Sequence, residues 1–129
     1  MQKADYLLEQ IVSVLMSVVS ADAVISCVRA LIFSDEEVVL SISRSGIRMK
    51  VPPTRRVAGA LGVPHYSVLP VFAALEEEGF LVKQERVGVF LTQSGIVRMF
   101  SPLSDAERER LLAICGPEVV SLLLPGAGR

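Results

Sequence analysis

Beyond residue 40 the chain is cut at short intervals by residues that end regular structure: Gly46, Pro52-Pro53, Gly62, Gly79, Gly88, Gly116 and Pro117. Proline fixes φ and removes a backbone donor, and glycine opens conformations closed to other residues. What lies between these breaks must form short strands and short helices. Residues 38–43 and 47–51 alternate with period two around Arg44-Ser45-Gly46, which predicts a β-hairpin. Pro52-Pro53 stops the second strand, and Thr54 is a natural N-cap for a helix that runs to Leu61 and ends at Gly62. A second helix is expected within 64–78, closed by Gly79. Residues 80–86 and 87–92 read as two more strands with a tight connection near 86–88. A short helix over 94–100 follows. Ser104 and Glu107 form a capping box for a helix ending near Gly116, and 117–124 adds a last turn or two.

The first 37 residues contain no Gly or Pro, and between Glu9 and Asp35 they carry only two charges, Asp22 and Arg29. Residues 3–20 predict a helix with one narrow polar stripe, Glu9, Ser13, Ser17 and Ser20, and apolar residues nearly everywhere else, so it must be buried on most sides. Residues 21–33 are again apolar and end at Ser34-Asp35-Glu36-Glu37. Helical spacing and β-branched residues compete there, and the segment reads as either helix or strand. With 129 residues the chain suits one α+β domain: an apolar helical region over 1–37, a central unit over 38–95 and C-terminal helices over 96–129. The hydrophobic fraction is 51% with no Trp, two Tyr and five Phe, so the core must be built from Val, Leu, Ile and Ala. The apolar surface of 7–19 and 111–124 exceeds what so small a domain can obviously bury, which predicts a homodimer.

Asp5 and Glu9 stand where a signal peptide would need basic residues, and Glu9, Asp22 and Arg29 interrupt 6–33 as a membrane span. The expectation is a cytoplasmic protein with no membrane partner. Cys27 and Cys115 have no metal-ligand spacing and form no CxxC. They read as buried thiols, a disulfide requiring an oxidising compartment or a hyperthermophilic host. The absence of Asn, with only four Gln, points toward a hot habitat.

Formal net charge is −1, so the overall balance does not argue for nucleic acid. The distribution does. Arg44, Arg48, Lys50, Arg55 and Arg56 lie within 44–56 with no acid among them, while acids gather at 35–37, 76–78 and 105–109. There is no nucleophile–base set, no phosphate loop, no metal cluster and a single histidine, His65. The chain therefore reads as non-enzymatic, with no cofactor and no metal.

The order strand, helix, turn, helix, strand, wing, strand over about 47–95 carries a resemblance. Leu61-Gly62-Val63, then Val68, then Leu75-Glu76-Glu77-Glu78-Gly79-Phe80-Leu81, then Leu91-Thr92 and Gly95 resemble the pattern of prokaryotic winged helix-turn-helix regulators. The resemblance covers roughly the middle third of the chain. It implies a winged helix-turn-helix with extra N-terminal helices, an added β-hairpin strand and C-terminal helices. It also implies double-stranded DNA as partner, the second helix of the motif entering the major groove. Carried over, the base-reading positions are His65, Tyr66, Ser67, Leu69, Pro70, Ala73 and Ala74. Phosphate contacts fall to Thr54, Arg55, Arg56, Lys83 and Arg86, with Arg48 and Lys50 in the same basic patch.

This chain departs from the family in one respect: 57–82 contains no Arg or Lys, so bidentate guanine readout from that helix is impossible. Pro70 also falls in the helix, and a late start, with Ser67 as N-cap and His65 and Tyr66 in the turn, would accommodate it. The plainer readings stand alongside. The plainer reading of the 44–56 patch is a solvated hairpin face, of His65 a surface hydrogen-bonder, of Tyr66 packing on the wing and of Glu76–Glu78 a solvated helix end. An apolar face at Leu69, Pro70 and Ala73 suits the alternative function, a winged-helix module that binds protein in a transcription, replication or chromosome complex.

Overall fold

The computed structural model describes Leu7 and residues 19–124. Most of the helix expected over 3–20 thus lies outside the described residues. At its end, Ser20 is extended and begins the next helix: its hydroxyl accepts from Ala23 N at 3.0 Å. That helix, α1 (Ala21–Asp35), resolves the choice left open between helix and strand. Val24, Ile25, Val28 and Ile32 recur at helical spacing and are all buried.

Four strands follow the breaks in the sequence: β1 (Leu40–Ser43), β2 (Gly46–Lys50), β3 (Leu81–Gln84) and β4 (Gly88–Leu91). They form one antiparallel sheet in the order β1-β2-β4-β3. Gly46 pairs with Ser43, so the hairpin turn is Arg44-Ser45 alone. Between β2 and β3 run α2 (Thr54–Leu61) and α3 (His65–Glu77), whose axes turn by 120° across residues 62–64.

Both helices end as their glycines predict. Val63 N bonds Ala58 O after Gly62, and Phe80 N bonds Leu75 O after Gly79, each with the glycine left-handed. Their starts differ from expectation. Pro53, not Thr54, is the N-cap of α2, because the Pro52-Pro53 pair holds the chain extended up to the helix and Thr54 becomes its first residue. Pro64 likewise starts α3 at His65, and Ser67 N bonds Pro64 O at 2.9 Å, which overturns the late start at Ser67. Pro70 therefore sits inside α3. It forfeits the helical bond to Tyr66 O, a loss that water can compensate because both residues are exposed.

Three helices complete the chain: α4 (Gln93–Phe100), α5 (Asp105–Cys115) and α6 (Pro117–Leu123). The expected capping box at α5 is present in both directions, Ser104 N to Glu107 Oε1 at 3.1 Å and Glu107 N to Ser104 Oγ at 3.2 Å. One core joins all layers. Met49 and Leu91 of the sheet, Phe72 and Leu75 of α3, and Met99 and Phe100 of α4 are buried together with α1. Leu111, Val120, Leu123 and Leu124 belong to the same core. The C-terminal leucines cited as surplus apolar surface are thus largely spent within one chain, and only Leu112 and Leu122 remain exposed there. The result is an α+β unit with six helices over 19–124 and a four-stranded antiparallel sheet, compatible with a winged helix. No single helix among the described residues is long and apolar enough to cross a membrane.

Candidate nucleic-acid interface

The sharp turn at 62–64 brings the N-termini of α2 and α3 together. Thr54 Oγ1 and His65 Nε2, the first residues of the two helices, lie 2.7 Å apart. Neither helix has a side-chain cap, because a proline occupies each N-cap position. The first amides of both helices, those of Thr54 and Arg55 and of His65 and Tyr66, have no intrahelical acceptor. Two positive helix ends therefore converge on one spot.

Beside this spot runs a groove of about 540 Å³. Pro52, Pro53 and Thr54 form its floor, the Leu69–Ala73–Glu76 edge of α3 one wall, and Lys83, Val87 and Val89 of the β3–β4 hairpin the other. Lys50 reaches across the sheet to this groove, its Cε near Gly88. Lys50, Arg55, Lys83 and Arg86 are exposed and make no ion pair among the described residues. Arg86 sits at the tip of the β3–β4 turn with φ +65°. Arg48 shares the sheet face of Lys50, two residues back and opposite Ser41, and is half-buried.

Arg56 is not free. Its guanidinium donates through both terminal nitrogens to the two carboxylate oxygens of Asp35, at the end of α1. That hydrogen bond, and secondarily the opposite charge, hold the Asp35 carboxyl below its usual range and raise Arg56. Since the carboxyl is lowered in the fold, the pair holds above the ordinary Asp range and is lost as pH falls through the lowered value. Sequence reasoning had no means to find a partner 21 positions away.

The α3 side chains divide. Ser67 is only 8% exposed, faces the core beside Val68, and its Oγ has no partner among the described residues. It cannot present itself to a base edge, which corrects the expectation for this residue. Tyr66 is 69% exposed. The outward face of α3 reads Tyr66, Leu69, Pro70, Ala73, then Glu76 and Glu77: apolar at its start, acidic at its end, with no cation. Arg98 of α4 offsets part of that acidity, 3.9 Å from Glu78 and stacked on Phe80.

Sequence reasoning missed several groove-lining residues, Pro53 and Val87 among them. Val87, half-exposed on a turn, gave no signal beyond its exposure after folding. Among the described residues no group of three or more His, Cys, Asp or Glu is placed to hold a metal ion. Cys27 and Cys115 are free thiols, pushed above their ordinary pKa by partial burial.

No family model, no curated protein and no solved structure matches this chain.

Proposed function

We propose that this chain is a winged helix-turn-helix regulator that binds double-stranded DNA, mainly through the phosphate backbone. The observation that carries the reading is the pairing of two uncapped helix N-termini, tied by Thr54 and His65, beside the cations Lys50, Arg55 and Lys83, which make no ion pair among the described residues. A helix N-terminus favours an anion by about 0.3–1 kcal/mol at the surface, and convergent amides add directional donors. Arg86 at the hairpin tip extends the same basic rim. Base discrimination falls to Tyr66, and to apolar contact of Leu69 and Ala73 with thymine methyls, because α3 offers no Arg or Lys. Such a protein binds many sequences with modest preference, aided by DNA shape.

Duplex titration at a series of salt concentrations tests this. Arg55→Ala and Lys83→Ala should each weaken every sequence alike and make the salt slope shallower by roughly one unit. Arg56→Ala should leave the slope unchanged. Asp35→Ala, which frees Arg56, should steepen it by about one unit. Tyr66→Ala should reduce preference between sequences with the slope intact. If Arg55 and Lys83 can be removed together with no loss of duplex affinity, the DNA reading fails.

One observation favours a second reading, a protein-interaction module: the outward face of α3 at Leu69, Pro70 and Ala73 is apolar and uncharged, and Leu69 is 44% exposed. On that reading Leu69→Lys abolishes partner binding, and the cation variants leave it untouched.

A further inference from the structure

The backbone pairing of β1 shows which of its groups are unused. Lys50 N bonds Val39 O, and the β1–β2 register sets Ser41 opposite Arg48 and Ser43 opposite Gly46. Hydrogen-bonded pairs alternate along an antiparallel ladder, so Val39, Ser41 and Ser43 turn their amides and carbonyls toward β2. Leu40 and Ile42 turn theirs outward, to the open edge of the sheet, where no partner exists among the described residues. Edge strands are normally blunted by charge, proline or a bulge. β1, Leu40-Ser41-Ile42-Ser43, has none of these, whereas the opposite edge strand carries Lys83.

Three features around this edge complement one another under a two-fold axis. Ile42 is 71% exposed and, two residues from Leu40, lies on the same sheet face. On that face a groove of about 360 Å³ opens beside Leu40, between β1 and the C-terminal helices, lined by Val38, Leu40, Ile114, Cys115 and Val119 together with the acidic Glu36 and Glu37. Glu36 and Glu37 precede the strand and Arg44 follows it, so an antiparallel copy sets each charge against its opposite.

We propose that the β1 edge is a homodimer interface. Two copies pair antiparallel about a two-fold axis at Ser41, with Leu40 of each opposite Ile42 of the other. In this register the outward amides and carbonyls of Leu40 and Ile42 are all satisfied. The Ile42 side chain of each copy enters the groove beside Leu40 of the other, and Arg44 lies against the Glu36–Glu37 end. The two sheets become one of eight strands, with the β3–β4 hairpins at its ends. Seven interstrand steps separate β3 from its symmetry mate, about 34 Å along the sheet, close to one turn of B-DNA. That coincidence of spacing rests on the DNA reading, and the dimer itself does not.

Sedimentation velocity of the full chain without DNA tests the interface separately from nucleic-acid binding. The unmodified chain should sediment as a dimer at high micromolar concentration. Ile42→Lys should weaken it roughly tenfold or more, since each change occurs twice across the axis. Ile42→Pro should act alike with an unchanged circular dichroism spectrum, because β2 does not use that amide. Arg44→Glu should weaken the dimer, and adding Glu36→Arg and Glu37→Arg should restore it. These last variants alter only exposed side chains, so they decide the matter even if the Ile42 variants fail to fold. A monomer at high concentration overturns the proposal. So does a dimer indifferent to the Ile42 variants, or a charge reversal without effect and without restoration.

Discussion

Gly95→Ala is expected to cost about 3 kcal/mol or more of folding stability, a large share of the 5–15 kcal/mol typical of a domain. A β-carbon at this position would fall 2.1 Å from the Phe80 carbonyl oxygen and 3.0 Å from Leu91 Cδ2. The first of these is backbone, and it is held. Phe80 O accepts from Thr92 N at 3.0 Å, and the Thr92 and Ser94 hydroxyls both donate to Gly79 O. Thr92 in turn caps α4 by accepting from Gly95 N at 3.2 Å. The start of α4 is thus fastened to the chain reversal that follows α3, and room for a methyl can come only by lifting α4 away. Ile96, Met99 and Phe100, each no more than 1% exposed, would be drawn out with it. Gly59→Ala is the internal control. Nothing lies within 4 Å of its added carbon and its backbone is helical, so it should stabilise by about 0.5–1 kcal/mol through helix propensity. Urea denaturation followed by circular dichroism compares the two. A Gly95→Ala change within about half a kcal/mol of zero would show that the close approach is not a constraint.

Phe72→Ala and Leu75→Ala should cost about 3–5 and 2–5 kcal/mol respectively. Both point from α3 into the core, 7% and 2% exposed, and border a small cavity shared with Val24, Val28, Leu81 and Leu91. Truncation enlarges an existing void, and its walls belong to α1, α3, α4 and the sheet, which cannot all close on it at once. Glu76→Ala, next to Leu75 on the exposed side, should change stability by less than about half a kcal/mol. Equal effects at Leu75 and Glu76 in denaturant titration would mean that α3 is rotated from the orientation described. The consequence reaches the candidate interface, because the same helix that buries Phe72 and Leu75 presents Tyr66, Leu69 and Ala73 to the outside. Loosening its inward face should also lower duplex affinity without changing the salt slope, since no cation is removed.

Local features of this chain were legible before folding because their causes are local. Gly62 and Gly79 end helices through their own freedom at positive φ. Ser104 and Glu107 cap α5 three residues apart. The period of two over 38–43 and 47–51 places β1 and β2 on either side of a turn. Val68, Phe72 and Leu75 recur at three- and four-residue intervals, so a helix here carries them on one face, and that face is buried. Helix starts are less legible, because a proline before Thr54 and another before His65 outweigh the hydroxyl caps that side-chain chemistry alone suggests.

What the tertiary structure decided is everything that depends on distance through space. The spacing of Ser67 fits an outward or an inward role until α3 is docked, and docking buries it. Arg56 belongs to a basic run in the sequence and to Asp35 in the fold, because α1 ends beside α2. Leu111, Leu123 and Leu124 look like an interface in one dimension and are core in three, because the C-terminal helices pack back onto the core shared by the sheet and α1, while Leu112 and Leu122 stay exposed. The order β1-β2-β4-β3, which leaves β1 at an open edge with Ile42 exposed, follows from β4 inserting between β2 and β3. A residue's own conformational energy is written in its type and its near neighbours. The partner it meets across 20 to 80 positions is set by how whole faces bury their apolar area together, and that is decided only when the chain is packed.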